Sequence, residues 1–207
     1  KVVAEMRQPF PAQENLLLAA GSPDKVLLIG FKNPALKKYT GMSLAQVAKL
    51  RGTSPEDTAI DLVIEDGTRV GTVYFLMDEA NVARQTGLPW MAFGSDAEAQ
   101  APEGVFLLSS THPRAYGNVS RLLGKYVRAE NKATLPDAIR RLTSFPATNL
   151  GITDRGLLKA GNYADVVVFD PATIIDHATY EKPQQLSTGV DHVYVNGVQV
   201  LNDGKPT

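Results

Sequence analysis

The stretch WMAFGSDAEAQAPEGVFLLSSTHPRAYG, Trp90 to Gly117, decides how the rest of the chain is read. Its first four residues, Trp90 to Phe93, are apolar, and such a run predicts a short buried strand. Gly94 and Ser95 follow, then Asp96, a carboxylate at the carboxyl end of that predicted strand. In parallel α/β proteins the chemistry gathers on loops beyond those ends, which makes Asp96 a candidate catalytic group. An Asp after Gly-Ser also serves as a turn residue or a helix cap, and its position alone does not separate these roles. The loop that follows closes on His112-Pro113-Arg114.

Working back from Trp90, Thr72 to Met77 is β-branched and aromatic and predicts another strand. Asp78 is placed to cap a short helix from Glu79 to Gln85, with Gly87 closing it. The resulting strand–helix–strand spacing suits a right-handed crossover in a parallel sheet. Further upstream, Ser43-Leu44-Ala45-Gln46 has capping-box form, and Ser54-Pro55-Glu56-Asp57 starts a second helix with Pro at its first position. Gly52 and Gly67 end these helices, and Ile60, Val63 and Ile64 share one face of the second. Lys25 to Phe31 reads as a strand, and Asn33 to Gly41 as a surface loop. Lys1–Met6 and Glu14–Ala20 are helical pieces around Pro9 and Pro11.

Working forward from Arg114, Val119, Leu122, Leu123, Tyr126 and Val127 fall at helical spacing. Thr134 caps a further helix with Leu135, Ala138, Ile139 and Leu142 on its buried side, and Phe145–Gly151 is a broken helical segment. After Gly156 the period becomes strand-like. Asp165 to Phe169 predicts a buried strand, and Asn196-Gly197 between two alternating runs predicts a tight hairpin.

Bulk properties narrow the function classes. The 207 residues carry 21 basic and 22 acidic side chains, a balance that offers no electrostatic footprint for nucleic acid or an anionic membrane. No apolar run is long enough to cross a bilayer. There is no cysteine, which excludes disulfides, thiolate nucleophiles and cysteine metal sites. His177 and His192 lack zinc-site spacing and read as structural. Gly94-Ser95-Asp96 is not a nucleophile elbow, the glycines of GSDAEAQAPEG form no phosphate loop, and the Asn118-Val119-Ser120 sequon opens a helix. Lys1 is not a start methionine, and the chain stops soon after the hairpin, so a fragment of something longer is expected. The compartment stays open, with the cytoplasm the working expectation, and the oligomeric state is open too.

The runs GSDAEA…APEGVFLLSSTHPRAYGNVSRLLGKYVRAE, RRLTSFPATNLGITDRGLLKAGNYADVVVFDPATIIDHATYEKP and GVDHVYVNGVQVLNDG resemble the carboxyl-terminal portion of the N-acyl-D-amino-acid deacylases. These are the D-aminoacylases of the metal-dependent amidohydrolase superfamily. FKNPALKKYTGMSLAQVAKLRGTSPEDTAIDLVIEDG and TVYFLMDEANV extend the likeness over nearly the whole chain. ADVVVFDP and VNGVQVLNDG recur across amidohydrolases, whereas THPRAYG and the inserted helices point to the D-aminoacylases.

The resemblance implies an α/β fold: the carboxyl-terminal part of a (β/α)8 barrel, an inserted small α/β subdomain and part of a β-sandwich. On that division, residues 1–71 hold the end of a barrel crossover and the inserted subdomain. Residues 72–150 hold the last barrel strands and helices, and 151–207 the sandwich part. The implied reaction is zinc-dependent hydrolysis of the amide of a small N-acyl-D-amino acid. Asp96 then touches the metal and acts as general base, taking a proton from water and delivering one to the leaving amine. Arg114 matches the arginine that clamps the substrate carboxylate, which suits a planar, permanently charged fork, though a structural salt bridge is the other reading. The loop between Asp96 and Arg114 is longer than in the best-known members. His112 stands on the substrate side with Arg114, ordering the loop, because the superfamily draws its metal histidines from earlier strands. Those histidines, including the His-x-His pair, are not in this sequence, so the isolated chain is expected to be inactive. An amidohydrolase for a cyclic imide or dipeptide, and a non-catalytic binding or assembly domain, are the alternatives.

Overall fold

The computed structural model describes residues 1–9 and 14–207. The expected break at Pro11 lies outside them. The chain divides into two compact units, one of Lys1–Met77 with Ala101–His112, the other of Asp78–Gln100 with Pro113–Thr207.

In the first unit, β1 (Val26–Gly30) pairs antiparallel with β2 (Gly71–Tyr74), Leu27 facing Val73. Short helices α1 (Val2–Met6) and α2 (Leu16–Ala20) precede them. Helices α3 (Leu44–Arg51) and α4 (Pro55–Asp66) start where their caps predict. The capping box is complete: Gln46 N donates to Ser43 Oγ at 3.2 Å, and Ser43 N to Gln46 Oε1 at 2.8 Å. Val26, Leu28, Phe31, Leu36, Leu44, Val47 and Leu62 form the core. Segment Ala101–His112 is anchored on β1 by Ser110 N, which donates to the Ile29 carbonyl at 2.9 Å. Residues 34–39, expected as loop, form a 3-10 turn capped by Asn33.

Three expectations need correction here. Thr72–Met77 is a strand only as far as Tyr74, and its neighbour is β1, antiparallel, so no parallel crossover forms among the described residues. The buried face of α4 is Thr58, Leu62 and Asp66, leaving Val63 and Ile64 exposed. Its polar anchors set this rotation: the Thr58 hydroxyl meets that of Thr53 at 2.7 Å, and Asp66 Oδ1 accepts from Asn33 N at 2.8 Å. Buried polar groups are retained where such partners exist.

In the second unit, α5 (Glu79–Thr86) is capped by Asp78, whose carboxylate accepts from Ala80 N and Asn81 N. Helix α6 (Arg114–Arg121) runs on into a π-helical stretch, Leu122–Ala129. Helix α7 (Leu135–Leu142) packs against it and α8 (Ser144–Asn149) against α7, with Leu123, Val127, Ala138 and Ile174 in one cluster and Ala83, Leu122 and Tyr126 in another. A four-stranded antiparallel sheet follows in the order β3 (Val166–Phe169), β4 (Val190–Val195), β5 (Val198–Asn202), β6 (Lys205–Pro206). The hairpin is as predicted: Asn196 and Gly197 have φ of 52° and 79°, which a two-residue turn between twisted strands requires. Strand β3 differs from expectation, with Val167 and Val168 exposed and not buried.

Candidate active site

Trp90–Phe93 is not a strand. Trp90 sits in a turn that Met91 N closes on the Leu88 carbonyl at 3.1 Å, Met91–Phe93 belong to no regular element, and burial alternates from Met91 to Asp96 with Met91, Phe93 and Ser95 half-buried, but no described strand lies beside them. A pleated pattern without a neighbour cannot close a hydrogen-bond ladder. Trp90 is correspondingly exposed. Beyond this segment Asp96 adopts φ of 47°, in the left-handed region that few side chains enter.

The Asp96 carboxylate meets the first residue of α6. Arg114 Nη2 donates to Asp96 Oδ2 at 2.9 Å. Both groups lie in the second unit, and the pair stands in the open: the Asp96 side chain is 91% exposed, that of Arg114 43%. An ion pair so exposed is worth about 0–1 kcal/mol, too little to be what these residues are for structurally. The structure thus brings together the two residues for which the family resemblance implies proton handling and carboxylate binding. His112 is half-buried in segment Ala101–His112, which belongs to the first unit.

The remaining histidines lie in the tail of the second unit. His177 Nε2 lies 2.9 Å from the Thr188 hydroxyl, and His192 is held in the hairpin near Gln199. A cleft of about 390 Å³ elsewhere in the second unit is lined by Arg121, Lys125, Arg128 and Asp176. Its cations are already engaged, Arg121 by Asp176, Lys125 by Glu79 and Glu130, Arg128 by the carbonyls of Pro171 and Ile174. It is not the site.

Zinc needs three or four convergent donors. Among the described residues no three His, Asp or Glu side chains are grouped to hold a metal ion, and Asp96 has a guanidinium as its neighbour. The residues present do not by themselves fit a zinc ion. No described helix is long and apolar enough to cross a membrane.

The sequence profile of the amidohydrolase family matches residues 43–201, which include Asp96 and Arg114. The chain belongs to the amidohydrolase family. This amidohydrolase chain is 38% identical over 201 residues to an N-acyl-D-glutamate deacylase of Alcaligenes xylosoxydans xylosoxydans, covering 96% of itself and 38% of that relative. To an N-acyl-D-aspartate deacylase of the same organism it is 41% identical over 201 residues, covering 96% and 37%. Among solved structures it is similar to the N-acyl-D-glutamate deacylase of Bordetella bronchiseptica complexed with zinc and a phosphonate inhibitor, with TM-score 0.75 and 35% identity over 91% of this chain and 38% of that one. Its α/β fold is also similar to that of a D-aminoacylase crystal structure, with TM-score 0.74 and 35% identity over 88% of this chain and 35% of that one. The chain spans 38% of the length of the curated N-acyl-D-glutamate deacylase it matches.

Proposed function

We propose that residues 1–207 are the carboxyl-terminal portion of a zinc-dependent deacylase that hydrolyses the amide of N-acyl-D-amino acids, releasing a carboxylate and a free D-amino acid. Within the whole protein, residues 1–71 complete a barrel crossover and carry the inserted subdomain, 72–150 supply the last barrel strands and helices, and 151–207 complete a β-sandwich. The likeness to acyl-D-glutamate and acyl-D-aspartate deacylases supports this choice over cyclic-imide or dipeptide substrates. Zinc belongs to the complete protein, with most of its donors supplied from outside this chain.

One observation carries the reading: a carboxylate and a guanidinium meet at 2.9 Å and remain open to solvent. Asp96 takes a proton from the attacking water and returns one to the leaving amine, work suited to a carboxylate with an open oxygen. Arg114 presents a fork to the substrate carboxylate, which displaces Asp96 from it and leaves that acid available to the water. His112 orders the loop that delivers Arg114.

The test uses the polypeptide extended upstream of Lys1. It should hydrolyse N-acyl-D-amino acids, and Arg114→Met should raise KM about 10- to 100-fold, the loss of one or two charge-assisted hydrogen bonds. The 207-residue chain alone should show no turnover and no stoichiometric zinc. One tightly held zinc per isolated chain, by elemental analysis, would contradict this division of the site.

A further inference from the structure

The segment leading to Asp96 has no ladder of its own, yet it keeps a defined course. Helix α7 supplies what holds it. Arg141 is fully buried, an unusual setting for a guanidinium. Its Nε donates to the Met91 carbonyl at 2.7 Å, and its Nη1 to the Thr86 carbonyl at 2.7 Å. Asp137, one turn earlier on α7, lies 3.3 Å from Nη1 and balances the charge. The guanidinium carbon stands 4.3 Å from the centroid of the Phe93 ring, and Phe93 packs in turn against the cluster of Ala83, Leu122 and Tyr126. Arg140 adds a third clamp, its Nη2 donating to the Pro89 carbonyl at 2.8 Å. Three successive points, Thr86, Pro89 and Met91, are thus tied to one helix.

We propose that Arg141 is a positioning residue for the reaction: it fixes the course of Thr86–Phe93 and so sets where Asp96 stands opposite Arg114. Arg141 acts on the segment through the Met91 carbonyl and the Phe93 ring. A neutral side chain of the same length fills the volume but leaves both carbonyls without donors. A lysine keeps the charge but not the fork that spans two carbonyls and lies flat on a ring. The consequence for turnover rests on the proposed role of Asp96; the clamp itself does not.

Two measurements test this separately. Trp90, the one tryptophan of the chain, sits inside the clamped segment. In the 207-residue chain, time-resolved anisotropy of Trp90 should show faster local motion in Arg141→Met than in wild type, with Arg141→Lys between them. Unchanged anisotropy in a variant that keeps its far-ultraviolet spectrum overturns the clamp. If Arg141→Met fails to fold, Arg141→Lys and Phe93→Leu carry the same test. In the extended enzyme, Arg141→Lys should lower kcat about 10- to 100-fold with KM within about twofold, as a misplacement on the order of 1 Å does. The loss should shrink to less than about threefold in the Asp96→Asn background, where there is no base left to misplace. Equal losses in both backgrounds overturn the positioning role. If Asp96→Asn itself is harmless, the proposed function fails, and the anisotropy still judges the clamp.

Discussion

At the scale of single residues, exposure decides what the Asp96–Arg114 pair contributes. With the carboxylate 91% exposed, solvent screens the pair. Arg114→Met should therefore move Tm by no more than about 2–4 °C, the equivalent of about 1 kcal/mol in a chain of this size, while its effect on KM is large. Scanning calorimetry checks the first half of that split. Both residues are legible in the sequence, because a strand-like run ending in an acid and a family-like His-Pro-Arg are local signals. Arg141 is not. Its spacing from Asp137 suits an ordinary surface ion pair on a helix, and its burial comes from carbonyls at Thr86 and Met91, far away in sequence.

At the scale of elements, caps and turns are the readable part. Ser43, Ser54, Asp78, Thr134 and the Asn196-Gly197 turn all do what their side chains and backbone preferences dictate. Strand pairing is the unreadable part: Trp90–Phe93 and Thr72–Met77 have strand composition, but a neighbour decides whether a ladder forms and in which direction. The rotation of α4 was hidden for a similar reason, since Thr58 and Asp66 are buried through partners at Thr53 and Asn33.

Close approach makes a sharper element-scale prediction. Gly124, in the π-helical stretch, leaves room for the backbone of Ile174; a Cβ there would lie 2.6 Å from the Ile174 carbonyl oxygen. Gly124→Ala should destabilise the second unit by about 1–3 kcal/mol, the cost of overpacking, visible as a lowered Tm.

The same unit should be acid-sensitive. A hydrogen bond from Lys125 holds the Glu79 carboxyl below the ordinary carboxylate range, and Arg140 followed by Arg141 does so for Asp137. Because both carboxyls ionise at lower pH when folded, the stability they add is complete above the unfolded carboxylate range near pH ~4. It is lost as pH falls through the folded values. Tm should fall between about pH 5 and pH 2, and more gently in Glu79→Gln, as calorimetry against pH would report.

At the scale of the whole molecule, the amidohydrolase α/β fold is shown while its parts are only partly laid out in this chain. The match covers 96% of the chain but 38% of the deacylase relative, and the described residues offer no group of metal donors. Valines on the four-stranded sheet, Val167, Val195 and Val198, stand exposed where the proposed sandwich would cover them. Each unit keeps its own core, which is why patterning within short windows served well for both. What windows cannot supply is a partner strand or a second ligand. The most direct measurement is kcat/KM for an N-acyl-D-amino acid in the polypeptide extended upstream of Lys1, with and without Asp96→Ala. A loss of about 10²- to 10⁴-fold with the fold intact is expected of a general base, and residual activity within about tenfold of wild type would contradict that assignment.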